Sequence, residues 1–200
     1  LDNKKIVRTS LVVEGNNFTS FKTNKGIELA KKYIIVPGFI EEHIHGANGM
    51  DTMYPNKKAL DVIASSLVRS GTTSFLATTM TMSRGAIKKA LNNVANKKYH
   101  SGEAKILGVH LEGPFIAKEY KGAQDDRYIL EPNINELKNF IKASNHKIKI
   151  ITVAPEKTNP AFLTFLKKNH IVISAGHSNA KYQDVKKAMK YGLSCTTHTY

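Results

Sequence analysis

From about residue 33 onward the chain alternates two hydrophobic periodicities, and that alternation limits what it can fold into more than any other feature. Apolar or β-branched runs suited to strands cover Ile34 to His45, Thr72 to Thr79, Ile106 to Glu112, Ile148 to Ala154, Ile171 to His177 and Leu193 to His198. Between them, apolar residues recur at three- and four-residue spacing, as in Leu60, Ile63 and Leu67 or Ile87, Leu91 and Val94. Ile134, Leu137 and Ile141, then Phe162, Phe165 and Leu166, then Val185, Ala188 and Met189 repeat the pattern. Such stripes read as helices with one buried face. Gly71 and Gly192 stand where helices end in glycine. Strands separated by helices imply a parallel sheet, because a parallel pair needs a long, right-handed crossover. Two closures satisfy that rule: a doubly wound open sheet and a (β/α)8 barrel.

The residues that end these runs separate the two. His43 and His45 lie in PGFIEEHIHG, Glu112 in GVHLEGPF, His177 in ISAGHSNA and His198 in CTTHTY. On a strand, the spacing of His43 and His45 turns both imidazoles to one side. Glu112 is followed by Gly113-Pro114, which stop the strand, and a buried carboxylate there is costly unless paired or bound to metal. His110 shares its face and reads as a supporting donor, a substrate contact or a satisfied core histidine. Histidines around one carboxylate suit Zn2+ or Fe2+. Ligands at the ends of the first, third, fifth and sixth strands favour the barrel, whose active site is its C-terminal rim. An open sheet concentrates its site at one switch point instead.

The expected fold is therefore an α/β (β/α)8 barrel over residues 34–200, with about six βα units present and two more needed to close it. Residues 1–33, with short apolar pieces such as Leu11-Val12-Val13 between turn residues, read as β-structure preceding it. Ser178 or Asn179 is expected to cap a helix from Ala180. His100, His146 and His170 fall in loops or at helix ends and read as solvated.

Composition removes several other classes. The net charge of +14 raises the question of nucleic acid, but the lysines come as scattered pairs such as Lys57-Lys58, Lys97-Lys98 and Lys186-Lys187. Most fall on polar helix faces without aromatic interleaving, so no nucleic-acid partner is expected. No apolar stretch approaches the ~18 residues of a membrane span. The opening LDNKKIVRTS has no apolar leader core, and the single cysteine, Cys195, fits a reducing cytoplasm.

In their order, PGFIEEHIHGANGMDTM, HLEGPF with KGAQ after it, ITVAPE, SAGHSNA and TTHTY resemble the N-acetylglucosamine-6-phosphate deacetylase family of the amidohydrolase superfamily, over about Pro37 to Tyr200. The resemblance implies a barrel joined to a small β-sandwich built from both chain ends, to which residues 1–33 would contribute. It implies hydrolysis of the acetamide of N-acetylglucosamine 6-phosphate, a phosphorylated amino sugar, to glucosamine 6-phosphate and acetate. By motif, Glu112, His177 and His198 match the main metal ligands. His43 and His45 match the pair that completes a second metal site in some members, so one or two divalent ions, Zn or Fe, are expected per subunit, with Glu112 bridging. Ala123 and Gln124 fall on the loop that touches substrate, where many members carry His at the position of Gln124, and His110 is placed among the substrate contacts. The family's catalytic Asp and most phosphate-binding residues are expected beyond Tyr200, so this chain is expected to be inactive alone. The resemblance further implies a homodimer for the full-length protein.

Two alternatives stand beside this one. Another amidohydrolase, a cyclic-amide hydrolase or deaminase, would in many cases carry a bridging lysine at the end of the fourth strand, where KIKIITVAPE has none. A basic, non-catalytic binding protein could use the same scaffold.

Overall fold

In the computed structural model, which describes residues 11–15, 17–20 and 34–199, every apolar run becomes a strand and every stripe a helix. The chain divides into two compact units, Leu1–Pro37 and Gly38–Tyr200. In the first, β1 (Val12–Glu14) pairs antiparallel with β2 (Asn17–Ser20). The rest of the 1–33 segment expected to enter a β-sandwich lies outside the described residues.

The second unit holds β3 (Phe39–Ile44), β4 (Gly46–Ala47), β5 (Met50–Asp51), α1 (Lys58–Val68), β6 (Thr72–Thr78), α2 (Arg84–Ala95) and β7 (Lys105–Glu112). It continues through α3 (Ile134–Ala143), β8 (Ile148–Val153), α4 (Pro160–Lys168), β9 (Val172–Ala175), α5 (Tyr182–Lys190) and β10 (Leu193–Thr196). The main sheet is parallel, in the order β10-β9-β8-β7-β6-β3. Each of its strands therefore lies beside its predecessor in that sheet. A doubly wound sheet reverses order at a switch point; this one does not. It also curls, because the rings of His43 at the end of one edge strand and His198 just past the other are 5.0 Å apart.

Several runs are trimmed in the structure, β9 and β10 each ending two residues short of His177 and His198, and three other boundaries show a local cause. The first strand starts at Phe39, not Ile34: Pro37 has no N–H for a ladder, and Ile34, Ile35 and Val36 stay exposed. It ends at Ile44, because the His45 carbonyl accepts from Thr52 N–H at 2.7 Å and turns the chain into the β4–β5 hairpin. The hairpin turns on Asn48-Gly49, both at positive φ (52° and 75°), as an Asn-Gly type I′ turn requires. Helix α5 starts at Tyr182 rather than Ala180. Ser178 donates its hydroxyl proton to Glu156 (2.6 Å) and accepts from Ala180 N–H (2.9 Å), while Asp184 reaches back to Lys181 N–H at 2.9 Å and fixes the start.

Elsewhere the local chemistry agrees with the elements. Ser83, Asn133 and Asn159 cap α2, α3 and α4 with side-chain oxygens on Ala86, Glu136 and Phe162 N–H. The helical stripes bury against the sheet: Leu60 and Ile63 of α1, Ile87 and Leu91 of α2 and Leu137 of α3 are at most 2% exposed. Phe115, in the loop after β7, packs 6.4 Å from Phe140 and 5.2 Å from Phe162, and so ties α3 and α4 to the strand that carries Glu112. Each such ring, fully buried, contributes about 1.5–3 kcal/mol by transfer from water. Among the described residues no helix is long and apolar enough to cross a membrane.

Candidate metal centre

Parallel strands that each end beside their neighbour deliver their last side chains to one rim. Glu112, the final residue of β7, sits there almost wholly buried, 1% exposed. Four imidazoles close on its carboxylate through Nε2. His198 lies 2.8 Å and His177 3.0 Å from Oε1, with His43 3.6 Å from the same oxygen. His45 lies 3.1 Å from Oε2. The five strand-end residues singled out in the sequence thus form one cluster. Their rings pack edge to face, His43 with His45 and with His198, and His177 with His198, each pair 5.0 Å apart. His177 and His198 both adopt left-handed backbone, φ 49° and 57°, as do the exposed His146 and His170.

The protonation pattern says what the cluster wants. His177 Nδ1 lies 2.9 Å from the Tyr120 carbonyl, which can only accept, so Nδ1 carries the proton. In the neutral ring Nε2 is then a lone pair aimed at the Glu112 oxygen. Two lone pairs 3.0 Å apart require a proton or a cation between them. Burial alone would raise the Glu112 carboxyl, but hydrogen bonds from His177 and His45 and the charge of His43 hold it far below the usual carboxylate range. The Glu112 hydrogen bond raises His177 against the effect of burial. Burial, only partly opposed by Glu112, pushes His43 down to about 4. Both ring nitrogens of His43 and the Nδ1 of His45 are buried with no hydrogen-bond partner. Orphaned imidazole nitrogens around an ionised carboxylate fit a divalent cation, and a ligating histidine normally donates its other N–H to a carbonyl, as His177 does. The ligand atoms of His43, Glu112 and His198 all lie within 4.8 Å of one another.

The loop after β7 clamps this centre. Gln124, 2% exposed, donates from Nε2 to Glu112 Oε2 at 2.9 Å and accepts Thr81 N–H on Oε1 at 2.6 Å. Sequence reading placed Gln124 only on a substrate loop; its contact with the carboxylate crosses a loop whose shape no motif encodes. Ala123 beside it is exposed. Gly113, at φ 69°, lets the loop leave β7 against Thr81, whose hydroxyl occupies the space a side chain would need. His110 is 3% exposed, and both its nitrogens are taken, Nδ1 by the Glu42 carbonyl (2.9 Å) and Nε2 by Thr152 Oγ1 (2.7 Å). With both ring nitrogens engaged, His110 supports its neighbours in this arrangement.

Three further carboxylates are engaged elsewhere. Asp51 accepts Met53 N–H (2.7 Å), Asp184 caps α5, and Glu156 braces the rim through Ser178 Oγ and Asn179 N–H, both at 2.6 Å. A second group, Asp61, His100 and Glu103, also has ligand-like spacing. It is already bridged by Lys97, whose Nζ lies 2.8 Å from Asp61 and 2.6 Å from Glu103. His100, His146 and His170 are exposed, as expected.

A buried charge that only a proton or cation can balance, set at the C-terminal rim of a curled parallel sheet, defines a class: the metal-centred α/β barrels. Residues 34–200 match the model of the amidohydrolase family, and the chain belongs to that family. The N-acetylglucosamine-6-phosphate deacetylase of Lysinibacillus sphaericus is 40% identical over 168 residues, 83% of this chain and 43% of the relative. That of Bacillus subtilis is 37% identical over 182 residues, 88% of this chain and 46% of the relative. The solved N-acetylglucosamine-6-phosphate deacetylase of Thermotoga maritima superposes with a TM-score of 0.79 at 33% identity, covering 94% of this chain and 49% of that one. The curled sheet is thus part of a (β/α)8 barrel, and the chain spans about half the length of the relatives it matches or less.

Proposed function

We propose that the protein hydrolyses the acetamide of N-acetylglucosamine 6-phosphate, with its metal held by Glu112, His177 and His198 and a second position completed by His43 and His45. The observation that carries this reading is the buried Glu112 carboxylate enclosed by four imidazole Nε2 atoms at 2.8 to 3.6 Å. The relatives named above support the choice of substrate. Glu112 presents Oε1 to His177, His198 and, at 3.6 Å, His43, and Oε2 to His45, so that both oxygens face imidazoles and either can serve an ion. A bound Zn or Fe ion supplies Lewis acidity and lowers the pKa of water toward about 7.

The chain's own residues do the rest of the positioning. Tyr120 fixes the His177 tautomer, Gln124 steadies the carboxylate, and the exposed Ala123 beside it offers the loop to the sugar. The field of a chain with net charge +14 draws in a phosphorylated substrate. Amide cleavage also needs a group to protonate the departing amine. With Asp51, Glu156 and Asp184 engaged elsewhere, we assign that role to none of the described residues. A reducing cytoplasm is consistent with the single cysteine.

The test is metal analysis of the full-length protein together with acetate release from N-acetylglucosamine 6-phosphate. The parent should hold stoichiometric transition metal and turn over. Glu112→Gln should lose both, and lose more metal than His110→Ala. Full metal content in Glu112→Gln, or a metal-loaded parent without turnover, would refute the proposal.

A further inference from the structure

Directly beneath the ligands runs a second row of polar groups that metal binding does not use. It starts at the Glu42 carbonyl and passes through His110 to Thr152 (2.7 Å), Thr197 (2.9 Å) and Ser174 (2.6 Å). His110, Thr152 and Ser174 are at most 3% exposed. The direction of the chain is fixed by chemistry. A carbonyl only accepts, so His110 donates from Nδ1, and in the neutral ring its Nε2 must accept. Thr152 therefore spends its one proton on His110, Thr197 donates to Thr152, and Ser174 donates to Thr197.

Each link adjoins a ligand. Glu42 precedes His43, His110 lies two residues before Glu112, Thr197 precedes His198, and Ser174 stands three residues before His177. The His110 ring also packs edge to face against His43, 4.8 Å between centres. Gly176 supplies an independent sign that the row is built. A side chain there would meet Thr152 Cγ2 at 2.7 Å and Thr197 Cβ at 2.9 Å, although the φ of Gly176 is ordinary. Glycine at 176 is therefore required by the approach of the two threonines, not by backbone freedom.

We propose that this hydrogen-bonded row is a positioning layer for the metal centre, in which Thr152 and Thr197, anchored on His110, hold His198 in its ligating place. Thr197 acts through its neighbour: its hydroxyl pins the residue from which the left-handed His198 departs, so that His198 Nε2 stays 2.8 Å from Glu112. The inference rests on the metal-binding reading above.

It is tested on the full-length, metal-stripped protein by competing for Zn2+ with a chromophoric chelator, and by long-range proton–nitrogen spectra of the His110 ring. Thr197→Val and Thr152→Val should bind zinc about 10- to 100-fold more weakly. Thr197→Ser, which keeps the hydroxyl, should restore binding, and the metal-free melting temperatures of both Thr197 variants should stay within about 5 °C of the parent, whereas Thr152→Val, which strips the buried His110 Nε2 of its donor, should melt lower. In the parent, the His110 proton should be found on Nδ1. Unchanged zinc affinity in Thr197→Val would overturn the proposal, as would a serine variant no better than valine. So would a proton on Nε2 of His110, a result that does not depend on any variant folding. A parent that takes up no zinc or iron would instead overturn the metal-centre reading, and the positioning role with it.

Discussion

Replacing Gln124 with glutamate exchanges the amide donor facing Glu112 for an oxygen at almost no change in size. Gln124 Nε2 lies 2.9 Å from Glu112 Oε2, and the two residues are 2% and 1% exposed. Two unit charges at that separation repel by about 6 kcal/mol at an effective dielectric near 20. The introduced carboxyl has a less costly course, which is to keep its proton. At pH 7 that costs about 3.7 kcal/mol, or 1.36 kcal/mol for each unit above its ordinary value of about 4.3. Protonation therefore wins at neutral pH, and full ionisation waits until about pH 8.5. A carboxyl whose folded-state pKa is raised loses stability as pH rises. The deficit against the parent should be near zero at about pH 4, grow by about 1.36 kcal/mol per unit, and level off near about pH 8.5. His177 Nε2, 3.5 Å from the Gln124 amide nitrogen, can share a proton with the new group, so these figures are upper bounds. Thermal unfolding of the chelator-treated protein at pH 5, 7 and 8 is the assay. At pH 7 the melting temperature should fall by up to about 7–15 °C, and at pH 5 by about 2–4 °C. A deficit that stays constant across that range would show that residue 124 does not face the Glu112 carboxylate.

Three other outcomes are expected from the packing and charge pairing described above. Phe115→Ala removes a fully buried ring from between Phe140 and Phe162 and should cost about 3–5 kcal/mol, read by chemical denaturation. Lys97→Met strands Glu103, whose side chain is 4% exposed, and should destabilise by about 3–5 kcal/mol; adding Glu103→Gln should recover most of it, and a strictly additive double variant would refute the pairing. Stripping metal with a chelator should lower the melting temperature by about 8–16 °C when the ion had been present at about a thousand times its dissociation constant, and re-adding zinc should reverse the change.

The strands and helices were readable because periods of two and about 3.6 residues are different signals, and here they alternate cleanly. The convergence of His43, His45, Glu112, His177 and His198 was readable for a related reason: in a parallel barrel, the end of a strand is also a place on the rim. What escaped the sequence was whatever depended on loops or backbone atoms. Gln124 reaches Glu112 through a turn of the chain, and the Tyr120 carbonyl that sets the His177 tautomer is a main-chain group carrying no residue signature. Thr152 and Thr197 hid behind their own β-branching, since threonine in a strand is ordinary whether or not its hydroxyl is used. The start of α5 went to Asp184 because Ser178 was already committed to Glu156. Lys97 belonged to a pair that read as solvated surface, yet its side chain is 3% exposed and bound between Asp61 and Glu103.

The strand order has one more consequence. Among the described strands, β3 and β10 are opposite edges of the sheet and share no ladder, yet His43 and His198 meet ring to ring. Two ions bridged by Glu112, one on the His198 side and one on the His43 side, would act as a clasp, closing a loop that runs through every βα unit between them. Loop-closure entropy grows only slowly with length, so even this long circuit costs little more to fasten than a short one. Metal uptake would then damp the splaying of the two edges, and amide exchange in β3 and β10 should slow together when zinc is added, while exchange in β7 and β8 at the middle of the sheet barely changes.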